Sequence, residues 1–324
     1  MFEEVASLNN LCAAWEEFIQ GKRKKKDVQE FMLHLSDELH SLHNDLSEGV
    51  YKHGKYQHFK INDPKPRDIH KATVQDRLLH HAIHRQLYPI FDHAFIADSY
   101  SCRKGKGLHL ALDRFTALAC KVSQNNKKTC WILKCDVKKF FASIDHEILL
   151  NLLSERITDQ KVLDLLYNII SSFKNETGRG LPLGNLTSQL FANIYLNNLD
   201  QYIKHKLKTK FYIRYADDFV ILSDNQDDLI RLLPKIEEFL QIDLKLKLHP
   251  DKVFIKTLAS GIDFLGWIHF PHHRVLRTKT RRRIEQRISQ KPNDKRLQSY
   301  LGLLQHGNAH KISDQLKNDF WLWS

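Results

Sequence analysis

Three aspartates in this chain have the spacing and setting to do phosphate chemistry. Asp217 and Asp218 are adjacent, between the runs Phe211–Tyr215 and Phe219–Leu222. Alternating apolar residues, many aromatic or β-branched, read as strand on both sides, so the acids fall at a hairpin tip. Crowding two carboxylates there is unfavourable unless a cation neutralises them, as in sites that hold divalent metals. Taken alone, the pair also suits an ordinary exposed turn, where Asp is common. A third acid, Asp136, ends the apolar run Thr129–Cys135. One carboxylate from that strand and two from the hairpin can hold two metal ions roughly 4 Å apart. Such a pair activates an attacking 3′-hydroxyl and stabilises a leaving pyrophosphate. Mg2+ suits the arrangement, with Mn2+ a substitute, because it takes few carboxylates and completes its shell with water and phosphate.

The elements that must position these acids follow from periodicity. Up to about residue 50 the chain reads as two helices joined by a basic linker at Gly21, with Trp15, Phe18, Ile19 and then Val28, Phe31, Leu35, Leu39, Leu42 at helical spacing. A helix from Asp76 to Leu87 carries His80 and His84 at i, i+4, a spacing that can chelate a metal, though no third ligand accompanies them. Gly105 and Gly107 precede a helix over Leu108–Lys121, and Asp145 can cap the first of the helices between about 145 and 172. After the loop Thr177–Gly180, Thr187 and Ser188 can cap a further helix whose inward side holds Leu190, Phe191, Ile194 and Tyr195. Gly184 permits close backbone approach to a ligand. Asp227 and Asp228 read as first-turn charges of a helix over 226–240. The region from Arg274 is helical and basic, and Trp321 and Trp323 are expected to pack inside it.

Composition agrees with a polyanionic partner. Fifty Lys and Arg against 38 Asp and Glu give a formal charge of +12. Basic runs recur at Lys22–Lys26, at Lys204, Lys206, Lys208 and Lys210, and at Arg277–Arg283. One such run is usually a solvated face, but several suit a groove that follows a nucleic-acid backbone. Five cysteines without a Cys-x-x-Cys pair argue against a disulfide framework and a zinc ribbon. No signal peptide or membrane-length apolar run is visible, so a cytoplasmic setting without membrane contact is expected.

Tyr215-Ala216-Asp217-Asp218 resembles the YxDD signature of reverse transcriptases, and Asp136 to Phe141 is similar to their first catalytic motif. Between them, Gly180–Tyr195 resembles the family's nucleotide-binding motif, and the three occur in the family order. Asp63–Ile69 with Asp76 and Arg77, and Ser99–Gly107, look like fingers segments; Leu248–Lys252 and Gly261–Trp267 look like a palm segment and the primer grip. The resemblance implies an α+β right-hand polymerase fold. It divides into an N-terminal helical extension (1–50), fingers (51–125), palm (126–270) and a small helical thumb (271–324). It implies metal ligation by Asp136, the Val137 backbone, Asp217 and Asp218. Lys65, Arg67, Phe141, Leu183, Gly184, Gln189 and Lys252 would meet the nucleotide, with Phe141 excluding a ribose 2′-hydroxyl. Tyr215, Gly266 and Trp267 would support primer and template.

One departure narrows the family. Where most reverse transcriptases have Gln-Gly-x-x-x-Ser-Pro, this chain has Leu183-Gly184 followed by Ser188-Gln189. That pattern resembles reverse transcriptases of diversity-generating retroelements. These are bacterial or phage enzymes that copy a template-repeat RNA with errors at adenines, and the cDNA then replaces part of a target gene. Such systems imply template RNA, a cDNA–primer duplex, dNTPs and a small basic oligomeric accessory protein as partners. The alternative is a defence-type reverse transcriptase of the abortive-infection kind, making untemplated or protein-primed DNA. The Leu183 and Gln189 pattern disfavours retron and group II intron enzymes, and bulky Phe141 disfavours an RNA-dependent RNA polymerase.

Overall fold

The computed structural model describes residues 1–62, 66–173, 178–290 and 292–323. Four helices open the chain: α1 (Phe2–Ala6), α2 (Leu8–Phe18), α3 (Lys26–Leu33) and α4 (Leu35–Ser47). The second expected helix is thus two, because His34 leaves the helical region at φ −119°, ψ 26°, with Leu33 exposed beside it. Strands β1 (Gln57–Asn62) and β2 (Pro66–Lys71) pair antiparallel. Helix α5 (Val74–Asp92) begins at Thr73, whose hydroxyl oxygen accepts from Asp76 N while its O–H donates to the Asp76 carboxylate, a reciprocal cap. Next come α6 (Leu108–Val122), β3 (Trp131–Asp136), α7 (Phe140–Ser143), α8 (His146–Ser154), α9 (Gln160–Ser171) and α10 (Leu186–Gln201). The remainder comprises β4 (Tyr212–Tyr215), β5 (Asp218–Ser223), α11 (Gln226–Ile242), β6 (Phe254–Thr257), β7 (Ile262–Phe264), β8 (Trp267–His269), β9 (Arg274–Leu276) and helices α12 (Thr278–Gln290), α13 (Asp294–Leu304) and α14 (His310–Trp323).

The chain divides into two compact units, each assembled from separate stretches. One comprises 1–97, 137–206 and 236–248. It is mainly helical, with α5 and α10 among its buried elements. Asp145 caps α8 as expected, accepting from Ile148 N. Helix α10 differs from expectation: its N-cap is Asn185, and Thr187 and Ser188 lie buried inside its first turn.

The other unit comprises 98–136, 207–235 and 249–324. Its four-stranded antiparallel sheet has the order β4-β5-β3-β6. Alternate residues of β3 face opposite sides, and both sets are buried: Ile132 packs with Phe115, Leu118 and Ala119 of α6, while Leu133 and Cys135 are fully covered. Complete burial of Phe115 contributes roughly 2–3 kcal/mol. A second core joins Trp267 and Leu276 to Ile284, Ile288, Leu297, Leu304, Leu316 and Phe320 of the three last helices. Trp321, expected inside, is 81% exposed, because α14 turns Leu316 and Phe320 inward. The side chain of Trp323 lies outside the described residues. Among the described residues, no helix is long and apolar enough to cross a membrane.

Candidate active site

Strand pairing assembles the acids. Asp136, the last residue of β3, stands directly opposite Asp218, the first of β5, and Tyr215 of β4 faces Asp218 from the other side. Only Ala216 and Asp217 separate β4 from β5, so all three carboxylates belong to one end of one sheet. Ala216 takes the left-handed conformation, φ 54°. Beneath it Arg214, fully buried, donates from Nη1 to the Ala216 carbonyl at 3.1 Å. The Arg214 backbone is fixed in turn, its N–H donating to Asp98 O and its carbonyl accepting from Tyr100 N.

Two lysines offset the negative charge. Lys252 Nζ lies 2.7 Å from Asp136 Oδ1, and Lys134 Nζ lies 3.2 Å from Asp218 Oδ2. Lys134 also donates to the Asp263 carbonyl at 2.8 Å. Burial pushes the Asp218 carboxyl up to about 7, Lys134 works against that, and Asp136 and Asp217 add repulsion. Asp218 Oδ1 is buried without a hydrogen-bond partner among the described residues. Among the described residues, no group of three His, Cys, Asp or Glu side chains forms a ready-made metal cluster. An orphaned oxygen on Asp218, with Asp136 directly opposite and Asp217 adjacent in the chain, nevertheless fits a divalent cation, which binds oxygen ligands of this kind. Lys134 escaped the sequence reading. Its signal was a charged residue two before Asp136 in an apolar strand, hence on the same face.

The other expected residues are distributed as follows. Phe140 is 2% exposed and belongs to the core, whereas Phe141 beside it is half-buried. Val137 is buried and forms an isolated bridge to Leu248. Leu183 and Gln189 are half-buried; Gly184 is exposed with φ 114°, and among the described residues a Cβ there would meet Ile69 alone, at 3.8 Å. Arg67 is exposed on β2, and Lys65 lies outside the described residues. Leu265 and Gly266, both at positive φ, form the two-residue turn between β7 and β8, as that hairpin type requires. Trp267 does not present its indole to a nucleic acid. It is 1% exposed, seated in the core beside α12 and α13 and packed against Gly307, so it can act at the primer only by supporting the Gly266 turn. His80 and His84 form no metal pair, since His80 is buried on Thr187.

One antiparallel sheet thus gathers three carboxylates at the end of a strand and an adjoining hairpin. The profile of the family "Reverse transcriptase (RNA-dependent DNA polymerase)" matches residues 50–269, and the chain belongs to that family. The chain is 24% identical over 287 residues to protein YkfC of Escherichia coli, covering 76% of this chain and 73% of that one. It is also 24% identical over 277 residues to the group II intron-encoded protein LtrA of Lactococcus lactis, covering 64% of this chain and 45% of that one. The structure of telomerase from Candida albicans with a telomeric RNA fragment matches with TM-score 0.51 at 11% identity, over 82% of this chain and 55% of that one. That likeness shows the fold, an α+β right-hand polymerase. The chain spans only part of several curated relatives, 34% of a Saccharomyces cerevisiae intron protein among them.

Proposed function

We propose that the protein is an RNA-directed DNA polymerase that copies a template-repeat RNA into adenine-mutagenised cDNA. The observation that carries the polymerase reading is the register of Asp136 against Asp218, with Asp217 one residue before it at the turn. Two divalent cations, Mg2+ or Mn2+, held by Asp136 and Asp217 with Asp218 beside them, supply activation of the 3′-hydroxyl and charge neutralisation of the leaving pyrophosphate. The chain's own groups do the rest. Lys252, already at Asp136, delivers a proton to the departing pyrophosphate. Phe141 selects deoxynucleotides, and Tyr215 with the Gly266 turn supports the primer. Residues 51–125, 126–270 and 271–324 act as fingers, palm and thumb, and the basic segment Arg277–Arg283 follows the duplex backbone.

The diversifying role rests on Leu183 and Gln189. A glutamine at position 183 could hydrogen-bond to substrate and penalise a misplaced base; leucine offers only contact. Discrimination built on apolar contact is weaker than discrimination built on hydrogen bonds. A small basic accessory protein belongs to the same reading. The test is primer extension on RNA with dNTPs and Mg2+, comparing wild type with Asp217→Ala. Templated cDNA from wild type, reduced at least about a thousandfold in the variant with RNA affinity unchanged, is expected. DNA made without reference to the template would instead identify a defence-type enzyme.

A further inference from the structure

The start of α10 is held by a chain of buried polar groups with no part in the reading above. Asn185 is the N-cap of α10, yet its side chain caps no backbone amide. Its amide nitrogen instead lies 3.4 Å from His80 Nε2. Two residues on, the Thr187 hydroxyl lies 2.7 Å from His80 Nδ1. Asn185, Thr187 and His80 are 3%, 1% and 1% exposed, so bulk water cannot replace either contact. The two clamped residues lie between Leu183-Gly184 and Gln189, the segment read as contacting the incoming nucleotide.

Donor and acceptor roles follow by elimination. An amide nitrogen only donates, so with the Asn185 amide oriented by this network His80 Nε2 accepts. His80 then carries its proton on Nδ1 and donates it to Thr187 Oγ1. Burial first, then the charge of His53, push the His80 imidazole down to about 3, consistent with this neutral form. His53 Nε2 lies 3.2 Å from His80 Nε2 and 3.2 Å from the Tyr56 hydroxyl. His53 Nδ1 lies 2.7 Å from the Gly54 carbonyl, which only accepts. His53 Nδ1 also lies 3.8 Å from the Asp76 carboxylate. Burial opposes the ionised Asp76, but the His53 charge and hydrogen bonds from Thr73, Tyr51 and Gly54 overcome it and hold its pKa below the ordinary range.

We propose that His80, held against the buried His53 side chain, is a positioning residue that clamps Asn185 and Thr187 and thereby fixes where Leu183 and Gln189 stand. The proposal rests on the assignment of that segment to nucleotide binding. A merely structural role would appear as altered melting with unaltered nucleotide affinity. The clamp predicts a loss of nucleotide affinity that a merely structural role would not produce.

The test compares Thr187→Val, which removes the hydroxyl and keeps the shape, with Thr187→Ser, which restores it. Two readings are taken: single-nucleotide incorporation kinetics, and hydrogen–deuterium exchange over residues 183–190. In Thr187→Val the KM for dNTP should rise about fivefold, as expected for one lost hydrogen bond, with kcat held within about twofold. Exchange over 183–190 should accelerate, and Thr187→Ser should return both readings toward wild type. An unchanged KM in Thr187→Val, whatever the exchange, overturns the proposal. If wild type makes no DNA, the polymerase reading falls and exchange alone decides the clamp. Acceleration reversed by serine then sustains it, and unaltered exchange refutes it.

Discussion

Lys134 and Asp218 meet at 3.2 Å across neighbouring strands, one side chain 9% and the other 21% exposed. The ammonium is thereby a fixed cation of the acid cluster, as Lys252 is at Asp136, present whether or not another arrives. Lys134→Met keeps the length and apolar stem but leaves Asp218 in repulsive company. Loss of roughly 2–4 kcal/mol is expected, because removing one partner of a largely buried pair strands the other. Urea denaturation without divalent ions reads it, and an unchanged midpoint would show that Asp218 does not need the lysine.

On the proposed reading of Leu183 as a nucleotide contact, Leu183→Gln should add a hydrogen-bonding group beside the nascent pair. Errors opposite template adenine are expected to fall by about tenfold, with smaller changes at other bases. Deep sequencing of cDNA from both enzymes on one RNA template measures this. Equal adenine error rates would remove Leu183 from the explanation of low fidelity.

His269 provides a pH signature separate from the acids. Burial first, then the nearby Arg274 charge, lower its pKa to about 4, and its Nε2 is buried without a partner. The folded value lies below the unfolded value of about 6.5, so the unfolded chain takes the proton first as pH falls. The stability involved is intact above about pH 6.5 and is lost as the pH drops toward 4. His80 and His81, lowered to about 3 and about 4, act in the same direction. His269→Phe should therefore reduce the slope of Tm against pH in this window without abolishing it. A slope identical to wild type would show that His269 is not held neutral.

Gly307 packs against Trp267 so closely that a Cβ would collide with the six-membered ring of the indole. Gly307→Ala should cost roughly 1–3 kcal/mol through overpacking. Adding Trp267→Phe removes the ring atoms concerned and should recover part of that loss, which a double-mutant cycle would isolate. Strictly additive losses would contradict the contact.

The acid cluster was legible because its signals are local. Strand alternation placed Asp136 at a strand end, and a short turn between two apolar runs placed Asp217 and Asp218. The His34 break was not legible, because Val28, Phe31, Leu35, Leu39 and Leu42 keep helical phase across it. The N-cap of α10 was misplaced for a different reason. Thr187 and Ser188 are good capping residues, but His80, more than a hundred positions away, engages Thr187 inside the helix. Trp267 and Trp321 were exchanged in their surroundings. Aromatic content says that a ring will be buried or used, and only the packing of the last three helices decides which.

Ala216 occupies a backbone region that L-residues with a side chain adopt at an energetic penalty of about 1 kcal/mol, and which glycine enters freely. Glycine would relax the bend and also let it swivel. With alanine, and with a guanidinium braced against its carbonyl from below, the bend has little freedom to re-aim the aspartate that follows. Stiffness at this bend is therefore set one residue before Asp217, by a buried guanidinium on the strand beneath it.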